Sequence, residues 1–210
     1  MKIVALSDTH GHHRGVTLPE GDVLVFAGDF MTCGRKFYEV TDFANWFCNQ
    51  PHKHKILVAG NHDRLMESHL SQCIKEFHDI AYLQDSKCQI DGIRFYGSPW
   101  QPWFYDWAFN AQRGPEIKKY WDRIPQDTDV LVTHGPPKGH GDLTAYRYGN
   151  ERVGCEELSI AVQVIRPKVH IFGHIHNGYG IEKTPNTAFH NVSICDEEYI
   201  RANEPQVIEL

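Results

Sequence analysis

The 210-residue chain contains no run approaching the ~20 apolar residues that a helix needs to cross a bilayer, so no helical membrane span is expected. It has no surplus of positive charge: 21 Lys and Arg stand against 27 Asp and Glu, a formal net charge of −6. Domains that bind by neutralising a phosphate backbone are usually basic. The longest basic stretch, His52-Lys53-His54-Lys55, is short, so extended nucleic acid is not an expected partner. No CxxC pair occurs among the six cysteines (Cys33, Cys48, Cys73, Cys88, Cys155, Cys195), which excludes a Cys-zinc knuckle and reads as a set of reduced thiols. The N-terminal apolar run, Ile3 to Leu6, is too short for a signal peptide, and a cytoplasmic location is the expectation. Internal repeats, low-complexity tracts and long linkers are also missing, and the length suits one domain over residues 1–210.

What the chain does have in quantity is histidine, 14 residues of it. Histidine is the commonest metal ligand and the usual acid or base near neutral pH, so the question is where the histidines fall. Five short, β-branched apolar runs read as buried strands: Ile3 to Leu6, Val23 to Ala27, Ile56 to Ala59, Val130 to Thr133 and Val169 to Phe172. Between them, Phe37, Val40, Ala44 and Phe47 recur at helical spacing, and Leu65 to Phe77 and Cys155 to Ile165 are similar. Gln89 to Tyr96 reads as a hairpin, because Asp91-Gly92 accepts the positive φ angles of a tight turn. Ala188 to Ile194 and Gln206 to Leu210 read as further strands, whereas Ser98 to Arg113, rich in Trp, Pro and Phe, fits neither period and reads as a surface loop. The pattern predicts a mixed α/β fold with sheet at the centre and helices outside.

Each of the five apolar runs ends in a polar block. In order they are Asp8-Thr9-His10, Gly28-Asp29, Gly60-Asn61-His62-Asp63, His134-Gly135 and Gly173-His174-Ile175-His176. If the strands are parallel, all five blocks gather at one edge of the sheet, where open α/β folds place their ligands. Any one block has an ordinary reading as a turn or helix cap; five in order, each after a buried strand, do not. Carboxylate, imidazole and amide oxygen without thiolate suit Mn, Fe, Zn, Co or Ni, and the number of donors suits two ions sharing a bridging carboxylate.

This series resembles the signature of calcineurin-like metallophosphoesterases. Gly97-Ser98-Pro99-Trp100-Gln101-Pro102, Trp107-Ala108-Phe109-Asn110 and Thr133-His134-Gly135-Pro136-Pro137 are similar to its small single-domain, MPPED-type branch. The resemblance implies a four-layer α/β/β/α sandwich with a dinuclear centre. It implies that Asp8, His10 and His176 hold one divalent ion, that Asn61, His134 and His174 hold the other, and that Asp29 bridges them. His62 is then the group that contacts the phosphate and protonates the leaving oxygen, with Asp63 orienting it. Some members of the branch replace the residue at the position of His174; its presence here implies an intact centre.

The expected activity is hydrolysis of a phosphate ester by attack of a metal-bridging hydroxide, with manganese the favoured ion. A small, possibly nucleotide, phosphodiester is the favoured substrate. A phosphomonoesterase, a nuclease and a non-catalytic metal-binding scaffold are the alternatives. His12, His13, His140 and Asp142 are candidates to line a substrate cleft. Trp100, Trp103, Phe104, Tyr105 and Trp107 are candidates either to stack on a base or to pack as a lid.

Overall fold

The structure is a computed structural model that describes residues 1–145, 147 and 149–210. Its strands are β1 (Lys2–Leu6), β2 (Val23–Ala27), β3 (His54–Val58), β4 (Ala81–Tyr82), β5 (Ser86–Ile90), β6 (Ile93–Ser98), β7 (Gln101–Pro102), β8 (Asn110–Ala111), β9 (Val130–Thr133), β10 (Val169–Phe172), β11 (Gly180–Lys183), β12 (Ala188–Asn191) and β13 (Gln206–Glu209). They form a first sheet ordered β13-β1-β2-β3-β4, a second ordered β11-β12-β10-β9-β6-β5, and a small pair, β7-β8.

Alternation along the strands decides how the sheets stack. In β2, Val23, Val25 and Ala27 point into a core shared with Val130, Val132, Val169 and Ile171 of the second sheet. Leu24 and Phe26 of the same strand point the other way, onto the face covered by α1 (Phe37–Cys48). Both faces of β2 are therefore buried, and this explains its unbroken apolar run. The second sheet repeats the rule: Leu131 and Phe172 leave the shared core to pack under α4 (Pro115–Trp121) and α5 (Glu156–Ile165). The layers run helix, sheet, sheet, helix, as the resemblance implies.

Several local readings are refined. The five strands that precede the polar blocks do not share one sheet. β1, β2 and β3 run parallel in the first, and β9 and β10 run parallel in the second, so the blocks meet across the gap between two sheet edges. The segment 65–77 is not one helix. It breaks into α2 (Arg64–Ser68), α3 (Leu70–Cys73) and a 3-10 turn, because His69 leaves helical geometry at φ −135°. The loop 98–113 folds back through β7 and β8. Helix α4, which apolar spacing did not reveal, is announced by Gly114-Pro115, since proline suits the first position of a helix. Asp91 and Gly92 take φ of 46° and 86°, as the tight hairpin turn requires.

Candidate metal centre

Packing fixes the loops before any ligand is considered. Phe30 and Met31 follow Asp29 directly and are buried in the core beneath α1, where the Phe30 ring stacks on Phe43 at 4.4 Å. The Asp8 N–H donates to the Gly28 carbonyl (2.8 Å) and the His10 N–H to that of Asp29 (3.1 Å), which clamps the loops after β1 and β2 together. Asp8, His10, Asp29 and His174 all have left-handed backbone, with φ of 54°, 42°, 62° and 69°. Such angles are uncommon outside glycine and collect at functional sites. Gly60 and Gly173 leave room for carboxylates: a Cβ on the first would collide with Asp29, and one on the second with Asp8.

The donor atoms fall into groups that share members. Asp8, His10 and His176 form one, Asp29, His134 and His174 another, and His10, Asp29 and His62 lie between them; within each, ligand atoms approach to within 4.8 Å. Asn61 Oδ1 lies 2.8 Å from His134 Nε2, and Asp29 Oδ2 lies 3.4 Å from the same nitrogen and 4.0 Å from His10 Nε2. Asp29 thus reaches both outer groups. The structure brings together all seven residues assigned as ligands from the sequence.

Backbone carbonyls set the tautomers. Nδ1 of His134 sits 3.0 Å from the Ala27 carbonyl, and Nδ1 of His176 sits 2.7 Å from that of Asp196. Nδ1 of His62 pairs with the carbonyl of Thr32. A carbonyl can only accept, so in all three rings Nδ1 carries the proton and Nε2 is left for a ligand. The Nε2 atoms of His10 and His176 face each other at 3.3 Å, with Asp8 Oδ1 3.5 Å from the latter, while His10 Nδ1 is buried without a hydrogen-bond partner among the described residues. Facing imidazole nitrogens beside carboxylates form a donor set that fits divalent cations.

The electrostatics of the metal-free site agree. Burial opposes charge on His134, but Asp29 outweighs it and lifts that ring to about 9. Burial likewise opposes charge on His176, and Asp8 lifts it to about 9. His10 and His174 lack such a dominant partner, and burial depresses them to about 4 and about 3. Burial disfavours ionised Asp8 and Asp29, yet the histidines hold both carboxyls low, His176 foremost for Asp8 and His134 for Asp29.

Other assignments are placed differently. The Asp63 carboxylate does not orient His62; it accepts the N–H groups of Asp29 (2.9 Å), Gly60 (2.8 Å) and Met31 (3.0 Å), and so braces two ligand loops. His13 Nε2 lies 3.1 Å from Asp42, with its ring against Phe43 and Trp46. His140 stacks on Phe189 at 3.8 Å. Trp100 stacks on Tyr120 at 3.9 Å and donates Nε1–H to Asp85. Asp142 accepts from Gly139 and Arg152. All four belong to packing or loop structure, and His12 is exposed at the start of the turn His13–Gly15. Trp107, by contrast, stacks on His62 at 4.1 Å, with the Arg64 guanidinium 4.8 Å from its ring.

The sequence does not reveal the residues that the C-terminal segment brings to this site, where Ser193 and Asp196 steady it and Tyr199 borders it. Ser193 Oγ donates to Asp8 Oδ2 (3.0 Å), Asp196 supplies the carbonyl for His176, and the Tyr199 ring lies 4.6 Å from that of His10. No motif marks them, since one acts through a backbone carbonyl and the others are isolated residues far from the histidine blocks.

A helix–sheet–sheet–helix sandwich with paired N/O donor groups at the facing sheet edges defines a dinuclear metallohydrolase architecture. The comparisons with known proteins give the family. The profile of the family described as calcineurin-like phosphoesterase matches residues 1–178. Over its full length the chain is 39% identical to the human metallophosphoesterase domain-containing protein 1, of which it covers 71%. It is 36% identical to a UPF0046 protein of Caenorhabditis elegans, with 94% of this chain and 71% of that protein covered. A crystal structure from Thermus thermophilus shares the fold at a TM-score of 0.60 and 13% identity, over 90% of this chain and 88% of that one. The chain belongs to the calcineurin-like phosphoesterase family and is a metal-dependent phosphoester hydrolase. Members of this family bind two divalent ions and act on small phosphate esters. No helix among the described residues is long and apolar enough to cross a membrane.

Proposed function

We propose that the chain, folded as one metallophosphoesterase domain over residues 1–210, is a phosphodiesterase acting on small organic or nucleotide phosphodiesters. Asp8, His10 and His176 would hold one ion, Asn61, His134 and His174 the other, and Asp29 both; manganese is the favoured metal, for a set mixing carboxylate, amide and imidazole. Two such ions would supply Lewis acidity, activating water and neutralising the phosphoryl oxygens. The observation that carries the reading is Asp29, whose carboxylate reaches both donor groups while its Oδ1 accepts the His62 N–H at 2.7 Å. The His62 ring lies beside both groups with its Nδ1–H held by the Thr32 carbonyl, and its Nε2, once it also takes up a proton from solvent, would donate that proton to the leaving oxygen.

The diester is favoured by the chain's resemblance to the small single-domain branch that includes the metallophosphoesterase domain-containing proteins. The six cysteines are free thiols, which supports a reducing, cytoplasmic setting. The test is hydrolysis of bis-p-nitrophenyl phosphate and p-nitrophenyl phosphate by metal-stripped protein, before and after Mn²⁺ is added. Restored activity greater on the diester is expected; greater activity on the monoester would move the substrate to the phosphatase class. Absence of turnover with any first-row metal, despite two ions bound, would leave the scaffold reading.

A further inference from the structure

We propose that Tyr199 is the specificity-determining residue of this site, the wall against which the organic group of the ester lies, and that it selects planar, aromatic or heterocyclic groups. The proposal rests on the phosphoesterase reading above and assigns the residue that chooses the ester.

Position is the first argument. The Tyr199 ring centroid lies 4.6 Å from that of His10, 5.5 Å from His176 and 5.9 Å from His62, so one side chain borders both a metal group and the proton donor. These separations lie in the range of direct aromatic contact. Tyr199 is nonetheless 47% exposed, whereas His10 is 4% and His62 8% exposed. A group leaving on the oxygen protonated by His62 must sit beside that ring. Among the described residues, the Trp and Tyr side chains in ring contact with His62 are Trp107 and Tyr199, and Trp107 stacks on it at 4.1 Å with the Arg64 guanidinium over its own ring. Tyr199 is the more open of the two to an incoming ester.

The backbone is the second argument. Tyr199 has φ 59°, the left-handed region that Asp8, His10, Asp29 and His174 also occupy. A bulky residue holds that angle only when its surroundings impose it. Here the turn is pinned on Asp196, whose carboxylate accepts the N–H groups of Glu198 (2.9 Å) and Ile200 (3.0 Å) and whose carbonyl accepts that of Tyr199 (3.0 Å). The same carbonyl accepts His176 Nδ1–H. One turn therefore places a metal-binding ring and an exposed aromatic ring in fixed relation. Tyr199 also lies outside residues 1–178, the part matched by the family profile, where features that tailor a shared metal core to its own substrate are expected.

The test uses metal-loaded full-length protein and three phosphonates that cannot be hydrolysed and differ only in the organic group: methyl, cyclohexyl and phenyl. Calorimetric titration is expected to show phenylphosphonate binding about tenfold tighter than the other two, the scale of one aromatic stacking contact. Tyr199→Phe should keep that preference. Tyr199→Ala should abolish it while leaving methylphosphonate binding and metal content unchanged; if the alanine variant does not fold, Tyr199→Leu carries the same expectation. Equal binding of all three by the wild type, or equal weakening of all three in Tyr199→Ala, would overturn the proposal and leave the phosphoesterase reading intact. If the metal-loaded wild type hydrolyses neither bis-p-nitrophenyl phosphate nor p-nitrophenyl phosphate, that reading falls, and the proposal with it.

Discussion

Asp8 with His10 and His176 on one side, and Asp29 with His134 and His174 on the other, repeat one electrostatic arrangement. Each group has a carboxylate, one histidine that shares the carboxylate's charge and rises to about 9, and one that burial holds neutral, at about 4 for His10 and about 3 for His174. Their supports differ. His134 leans on the Ala27 carbonyl at the end of β2, a strand buried on both faces. The other group leans on the C-terminal segment, through Ser193 on Asp8 and Asp196 on His176. Identical chemistry is thus mounted once on the sheet core and once on a segment outside it. The comparison predicts which perturbations strike both ions and which strike only one.

The largest effect should come from the residue the two groups share. Asp29→Asn is expected to lower turnover by about a hundredfold to a thousandfold and to reduce bound metal from two ions toward one or none, read by elemental analysis beside kinetics. Full occupancy with normal turnover would show that Asp29 does not bridge. Asp63→Asn should come next, and on stability rather than metal choice. Its carboxylate accepts three backbone N–H groups, and an amide must turn an N–H toward one of them, at a cost of about 1–3 kcal/mol. A lowered melting temperature with both ions retained is expected; unchanged stability would remove Asp63 as the brace.

Most of the donor set could be read from the chain because each apolar run stops abruptly at a polar block, and strand period alone fixes which end of the strand that block occupies. The division into two sheets could not be read that way, since Val130 to Thr133 alternates no differently from Val23 to Ala27. Asp63 was misjudged because adjacency in sequence suggests partnership with His62, whereas in the turn their side chains diverge and His62 finds Thr32 instead. Ser193, Asp196 and Tyr199 were invisible for a related reason. They act through a hydroxyl, a carbonyl and a ring edge, none of which leaves a pattern in sequence, and their partners lie far along the chain, 185 positions from Ser193 to Asp8 and 20 from Asp196 to His176.

A smaller and more discriminating effect is expected from Ser193→Ala, which removes one hydrogen bond to Asp8 Oδ2. Supports of this kind are typically worth about tenfold to a hundredfold in metal affinity. Only one of the two ions should weaken, so competition with a chelator should become biphasic. If both ions weaken together, the groups are coupled more tightly than their separate mountings imply.

Acidity offers the gentlest test, because it addresses both groups without changing a residue. Between pH 6.5 and about 9, His134 and His176 keep protons in the folded, metal-free protein that the unfolded chain has released, so their contribution is full below 6.5 and is lost as pH rises through 9. His10 and His174 act oppositely: folded, they refuse protons that the unfolded chain accepts, and stability falls as pH drops from 6.5 toward 4 and 3. The metal-free protein should therefore melt highest near pH 6.5 and lower on either side. Bound divalent ions take the place of the protons on His134 and His176, so metal should stabilise most on the alkaline side and should release protons as it binds near pH 7.5. Melting curves of stripped and loaded protein across pH 5 to 9.5 read both limbs. Parallel curves would mean that the two raised histidines are not where the metal binds.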